Sequence, residues 1–187
     1  PEPQGFVPAD EESEGSLAHR LAANLRNPGQ LVLYLQGFLL MGGFVAMYNF
    51  LGFRLSAAPF GLPQTVVSLV FVAYLAGTWA SAWAGAQASR YGRRPVLLGS
   101  VVVMGIGVVI TLSHNMITVL AGLLVATAGF FGAHATASGW TGQLATVGKA
   151  QAGSLYNLAY YAGSSVIGWV GGLAFDEFDR ILFCGLF

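Results

Sequence analysis

Long apolar runs alternate with short polar breaks along this chain, and the runs are of nearly uniform length. Residues 30–52, 64–86, 95–113, 116–138 and 151–172 each form an apolar stretch of about twenty residues. At about 1.5 Å of rise per residue, a helix of that length crosses the ~30 Å hydrocarbon core of a bilayer. Five such runs in succession predict membrane-spanning helices and not the buried helices of a soluble core. A membrane β-barrel is excluded, because its strands alternate and are about half as long. A further apolar run starts after Arg180 and covers roughly a third of a span before the sequence stops at Phe187. The expected class is an all-α membrane bundle with five complete helices and the start of a sixth.

The breaks define the connections. Residues 1–29 are polar, with Pro1, Pro3, Pro8 and an acidic cluster, and read as a solvated linker. Within it, Ser16 to Leu25 fits a short surface helix with Ser16 as N-cap. Asn27-Pro28-Gly29 is a stop signal, and residues 57–63 form a turn-rich connection. His114-Asn115 is a minimal loop, residues 139–150 are a longer one, and residues 175–180 are a charged one. Gly37, Gly42, Gly43, Gly163, Gly168, Gly171 and Gly172 predict close helix contacts, for which membrane helices favour small residues.

Composition sharpens the picture through the placement of charge. The chain is 55% hydrophobic and 9% charged, against about 25% charged in an average soluble domain. Between Gln30 and Gly172 the charged residues are Arg54, Arg90, Arg93, Arg94 and Lys149, all at breaks. All eight carboxylates lie at the two ends, so zero net charge says little about partners. Alternating segment ends collect Arg20, Arg26, Arg90, Arg93, Arg94 and Lys149 on one side, and Arg54 and Arg180 on the other. This bias predicts that the linker and the 85–95 turn face the cytoplasm. Cys184 is the single cysteine, so no internal disulfide forms. The start shows no signal peptide, and both ends read as those of a piece of a longer protein.

The turn Gly85-Ala-Gln-Ala-Ser-Arg-Tyr-Gly-Arg-Arg-Pro95 carries three of the eight basic residues. Its Gly85, Arg90, Gly92, Arg93 and Arg94 resemble, at matching spacing, the loop signature of the major facilitator superfamily, a pattern close to G-x-x-x-D-R-x-G-R-R. Ser89 stands where that pattern has an aspartate. In the family the loop joins helices 2 and 3, with a weaker copy between helices 8 and 9. A degenerate copy after the second span, behind a polar linker, implies helices 7 to 12 of a twelve-helix transporter. Residues 1–29 would then be the central cytoplasmic linker, and residues 30–187 the C-terminal bundle, truncated in its last helix. The runs 37–44, 48–55, 75–79 and 160–165 resemble a bacterial inner-membrane branch related to proton-coupled drug and sugar efflux proteins. Residues 167–172 loosely resemble the antiporter glycine motif, with Gly168 in place of its proline. The family implies a small-molecule substrate, a proton gradient in place of a cofactor, a lipid bilayer and an N-terminal six-helix half as partners, and a bacterial plasma membrane. No nucleic acid is implied.

Polar groups inside spans are costly unless they face protein or water, so they mark candidate sites. Asn157, Tyr160, Tyr161 and Ser164 fall at i, i+3, i+4 and i+7, on one helix face. Tyr160, Tyr161 and Ser164 lie near mid-bilayer, where transporter substrates bind, and Tyr74 and Thr78 lie at similar depth. These six are the candidate cavity residues; the alternative role is hydrogen bonding between helices. His134 is the one ionisable side chain well inside a span, counted near the cytoplasmic end of the fourth. A packed, hydrogen-bonded histidine competes there with a proton carrier. Trp83 and Trp169 read as interface anchors. The spans hold no acid pair, metal cluster or nucleophile–base set, so no enzyme is expected. Vectorial transport by alternating access, as proton-coupled export, is the function the resemblance implies. The competing class is a non-transporting membrane sensor or scaffold, or an inactive half-transporter.

Overall fold

The computed structural model describes residues 16–184 apart from residue 59, with the side chains of residues 69, 70 and 174–184 not included. All regular elements among the described residues are helical. In order they are α1 (Leu17–Arg26), α2 (Pro28–Ser56), α3 (Gln64–Val67), a 3-10 stretch (Ser68–Ala73), α4 (Tyr74–Tyr91), α5 (Arg93–Thr111), α6 (Met116–Leu144) and α7 (Lys149–Cys184). Four helical segments are long and apolar enough to cross a membrane: α2, the continuous run Gln64–Tyr91, α5 and α6. The fifth long helix, α7, has 36 residues.

Caps, and not the edges of the apolar runs, set where these helices end. Ser16 caps α1, accepting from the His19 amide at 3.3 Å. Asn27 closes α1 and opens α2, its Oδ1 accepting from the amides of Gly29 at 2.9 Å and Gln30 at 3.4 Å. The Asn-Pro-Gly stop is therefore a joint between two helices, with Pro28 in the first turn of the second, where it lacks only an amide that would be unpaired anyway. Arg54 does not end the first span; it sits in the last turn of α2. The α6 helix runs six residues beyond the expected Ser138, so the 139–150 loop shrinks to residues 145–148.

The charged stretch 175–180 is also not a loop. Its backbone stays helical, merging the fifth span and the start of the sixth into α7. Residues 173–184 contain neither Gly nor Pro, and Asp176 and Arg180 are four apart, a spacing that supports helix. The acidic side chains of that stretch, residues 1–15 of the expected linker and residues 185–187 lie outside the described residues.

The four apolar spans carry little polar surface along their length, so their packing is specified by shape. Half of the apolar stretch of α6 is buried, the largest share among the four apolar spans, and α6 packs against α2, α4, α5 and α7. Small residues make the α5–α6 seam. A Cβ at Gly107 would collide with the backbone of Ala126, and one at Gly129 with the backbone of Met104. On the other side α2 lies along α7, where a Cβ at Gly163 would strike the Phe38 carbonyl. Glycine at such contacts lets backbones approach and gain dispersion contact, which drives helix association in lipid.

Polar contacts pin each end of the bundle. At one end Asn24 of α1 is buried, and its amide donates to the carbonyls of Arg20, Val147 and Gly148 at 2.9, 3.0 and 3.3 Å. The buried Gln30 amide donates to Thr141 O at 2.9 Å. At the other end the Arg54 guanidinium donates to the carbonyls of Thr111, Leu112 and Ser113, at and beyond the C-terminus of α5. A cation there complements both the unpaired carbonyls and the helix dipole. These pins fix the alternation. Arg20, Arg26, Arg90, Arg93, Arg94 and Lys149 share one end, and Arg54 lies at the opposite one.

Candidate functional site

A continuous cluster of aromatic rings joins α2, the Gln64–Tyr91 run, α6 and α7 at mid-bundle. Phe44 of α2 stacks on Phe130 of α6 with ring centroids 3.9 Å apart. Tyr48, one turn further along α2, stacks on Phe71 at 5.5 Å and meets Tyr74 edge-on at 5.4 Å. Tyr74 and Phe131 are edge-to-face at 5.6 Å, as are Phe130 and Phe131 at 5.3 Å. His134 follows on α6, stacked 6.0 Å from Phe130 and 4.7 Å from the Tyr160 ring. Tyr160 then meets Tyr161 at 5.2 Å. Such offset and edge-on pairs are the arrangements the ring quadrupole favours.

Two hydrogen bonds fix this wall. Tyr156 of α7 is buried, and its hydroxyl lies 3.1 Å from His134 Nδ1. Tyr48 and Thr127 share a hydroxyl–hydroxyl bond of 2.9 Å in the core. Gly37 makes room for the Tyr156 ring: a Cβ there would lie 2.9 Å from Tyr156 Cε2. The hydroxyls of Tyr74, 38% exposed, and of the half-buried Tyr160 have no hydrogen-bond partner among the described residues. The cluster therefore presents aromatic faces, two open hydroxyls and one imidazole, a composition suited to stacking and orienting a small, partly apolar molecule.

The expected cavity residues divide. Tyr74, Tyr160 and Tyr161 join the cluster, together with His134. Thr78 and Asn157 are exposed and Ser164 is half-buried, away from these ring contacts. Thr78 and Ser164 turn their hydroxyls back onto their own helix, to Tyr74 O at 3.4 Å and Tyr161 O at 2.8 Å. Because α6 extends to Leu144, His134 stands ten residues, or roughly 15 Å, from the helix end and not near it. Tyr48, Tyr156, Thr127, Phe44 and Phe130 were not among the candidates. Their partners lie on other helices, which single-helix periodicity does not report.

The basic turn is tighter than its eleven residues suggest. A single residue, Gly92, separates α4 from α5, with φ at +89°, a region L side chains rarely adopt. Ser89 Oγ donates to the carbonyl of Gly85 at 3.2 Å, inside its own helix. The guanidinium of Arg90 lies over the Tyr91 ring at 5.3 Å. Arg94 is exposed and Arg93 half-buried, and the sequence between residues 15 and 175 offers them no carboxylate.

Comparison with known proteins finds relatives that are named as transporters. The chain is 42% identical over 153 residues to the inner membrane transport protein YnfM of Escherichia coli, a match covering 82% of this chain and 37% of that protein. It is 37% identical over 172 residues to the uncharacterized MFS-type transporter YybF of Bacillus subtilis, covering 92% of this chain and 43% of the relative. The chain is a homologue of MFS-type transporters. An uncharacterized transporter of Buchnera aphidicola from Acyrthosiphon pisum agrees, at 40% identity over 154 residues, 82% of this chain and 38% of the relative. These relatives are named as transporters and not as enzymes, and with the apolar helices they make this a multi-pass membrane protein. The chain spans about two fifths of the length of the curated relatives it matches. No family model and no solved structure matches it.

Proposed function

We propose that this chain is the C-terminal half of a secondary transporter that moves a small molecule by alternating access, and that transport is export coupled to a proton gradient. The observation that carries the reading is the mid-bundle cluster of Tyr48, Tyr74, His134, Tyr156 and Tyr160. It is assembled from four helical segments of a chain homologous to MFS-type transporters. Residues 1–29 act as the linker between two six-helix halves, and the basic end faces the cytoplasm. A central site walled by two halves that rock against each other meets substrate from either side in turn. Tyr74 and Tyr160 contact the substrate with ring faces and hydroxyls, while Tyr156 and Tyr48 hold that wall in place. The exposed Thr78, Asn157 and Tyr161 and the half-buried Ser164 extend the same site toward the other half. His134 is the ionisable group on this side of the site, and the sequence between residues 15 and 175 holds no carboxylate.

The test is flux in proteoliposomes holding the natural protein, with and without a pH gradient. Substrate efflux that needs the gradient and falls when Tyr160 is replaced by Leu supports the reading. Flux indifferent to the gradient removes the proton coupling. Absence of flux across a broad panel of small molecules favours a membrane sensor or scaffold.

A further inference from the structure

A concavity lies outside the aromatic cluster, between α4, α5 and α6. It is a groove of about 590 Å³, and its lining reaches the basic turn at Tyr91 and Pro95. One face of α4 walls it: Trp79, Trp83, Gln87 and Tyr91 recur at four-residue spacing. Its opposite wall is α5 from Pro95 to Val103, and its floor is small, with Gly129 and Gly132 of α6. Trp79 and Trp83 stack at 6.3 Å, yet remain 70% and 52% exposed, so they border an open space and are not packed into the core. A Cβ at Gly99 would meet nothing within 4 Å, so the α5 wall also stands clear.

Three features identify the occupant. From Tyr91 to Trp79 the groove follows α4 for roughly 18 Å, about the depth of one leaflet of hydrocarbon. Its lining is apolar apart from Gln87, Ser100 and the tyrosine and tryptophan heteroatoms. Its mouth is cationic: Arg90 lies over Tyr91, a lining residue, and Arg93 and Arg94 precede Pro95, another. None of the three arginines faces a carboxylate among the described residues, and Ser89 beside Arg90 is uncharged and turned onto the Gly85 carbonyl. We propose that the groove holds an acyl chain of an anionic glycerophospholipid whose headgroup is bound by the arginines of the basic turn. A free phosphate satisfies the mouth and leaves the groove empty; a neutral lipid fills the groove and leaves the arginines without an anion. The uncharged Ser89 beside Arg90 fits this division, since a carboxylate there would repel the headgroup.

Trp79 and Trp83 supply the probe. The natural protein, with every other tryptophan replaced by Phe, is reconstituted in vesicles of phosphatidylcholine. Either phosphatidylglycerol or phosphatidylcholine with brominated acyl chains is then added at equal mole fraction. Bromine quenches the tryptophans on contact. An arginine at an anionic membrane surface contributes about fivefold in binding, so the brominated phosphatidylglycerol is expected to bind the groove at least about fivefold more tightly. That excess should fall in Arg90→Ala/Arg93→Ala/Arg94→Ala and at high salt. It should fall also in Gly99→Leu, which fills the groove while leaving the charges in place and adding a good helix former. Equal quenching by both lipids means ordinary boundary lipid and overturns the proposal. Quenching by neither means that the groove is covered by the rest of the transporter and also overturns it. An excess that survives Gly99→Leu places the anionic lipid elsewhere. Because the readout is lipid contact, it stands whether or not the protein exports a proton-coupled substrate.

Discussion

Tyr156 ties three helices through one side chain: it grows from α7, packs its ring on Gly37 of α2 and hydrogen-bonds His134 of α6. Replacing it with Phe keeps the ring and removes the hydroxyl. A net hydrogen bond of this kind contributes about 1 kcal/mol. Tyr156→Phe should therefore lower stability by about 1 kcal/mol, read by thermal unfolding in detergent, while freeing the imidazole and changing the rate of flux. A full-strength effect from His134→Ala with none from Tyr156→Phe would show that the bond does not matter. The sequence shows that α7 is rich in tyrosines, and periodicity groups Asn157, Tyr160, Tyr161 and Ser164. It passes over Tyr156, because what distinguishes that residue is a gap on α2, a hundred and nineteen positions earlier in the chain. His134 is legible as the sole intramembrane ionisable group. Its depth is not, because an apolar-run boundary at Ser138 misses the six further residues of helix.

Among the elements, the helices themselves follow from the apolar runs with little ambiguity, since a backbone in lipid must satisfy its own hydrogen bonds. Their joints do not. Asn27 serves two helices, and residues 175–180 continue a helix that their charges seemed to interrupt. The seams are half legible: glycine content announces close packing, but which glycine faces a neighbour depends on the partner. On α7 this separates Gly163, whose added Cβ would strike the Phe38 carbonyl, from Gly153, which has open space. Gly163→Ala should push α2 and α7 apart and cost about 1–3 kcal/mol, as overpacking does. Gly153→Ala should be neutral or stabilising by up to about 1 kcal/mol from helix propensity. Melting temperatures of the two variants, measured side by side, check this; equal shifts would mean that the seam tolerates separation. The docking of α1 is beyond any local pattern, because Asn24 reaches carbonyls more than 120 residues away.

For the whole molecule, the decisive quantity is which end faces which compartment. The pins at both ends make the bundle's own polarity unambiguous, with Arg20, Arg26, Arg90, Arg93, Arg94 and Lys149 at one end and Arg54 at the other. Arg54 is also engaged by the carbonyls at the end of α5. With six basic residues at one end against Arg54 at the other, the positive-inside rule predicts a cytoplasmic basic end. Cysteine accessibility reads this directly in a background where Cys184 is replaced by Ser. His114 and Thr146 are both exposed, and they lie just beyond opposite ends of α6. His114→Cys should react with a membrane-impermeant maleimide in intact cells, and Thr146→Cys only after permeabilisation. The reverse pattern would invert the bundle and put the basic turn on the outer face. It would also move any anionic lipid at Arg90, Arg93 and Arg94 to the opposite leaflet, so the labelling decides from which leaflet the groove is filled.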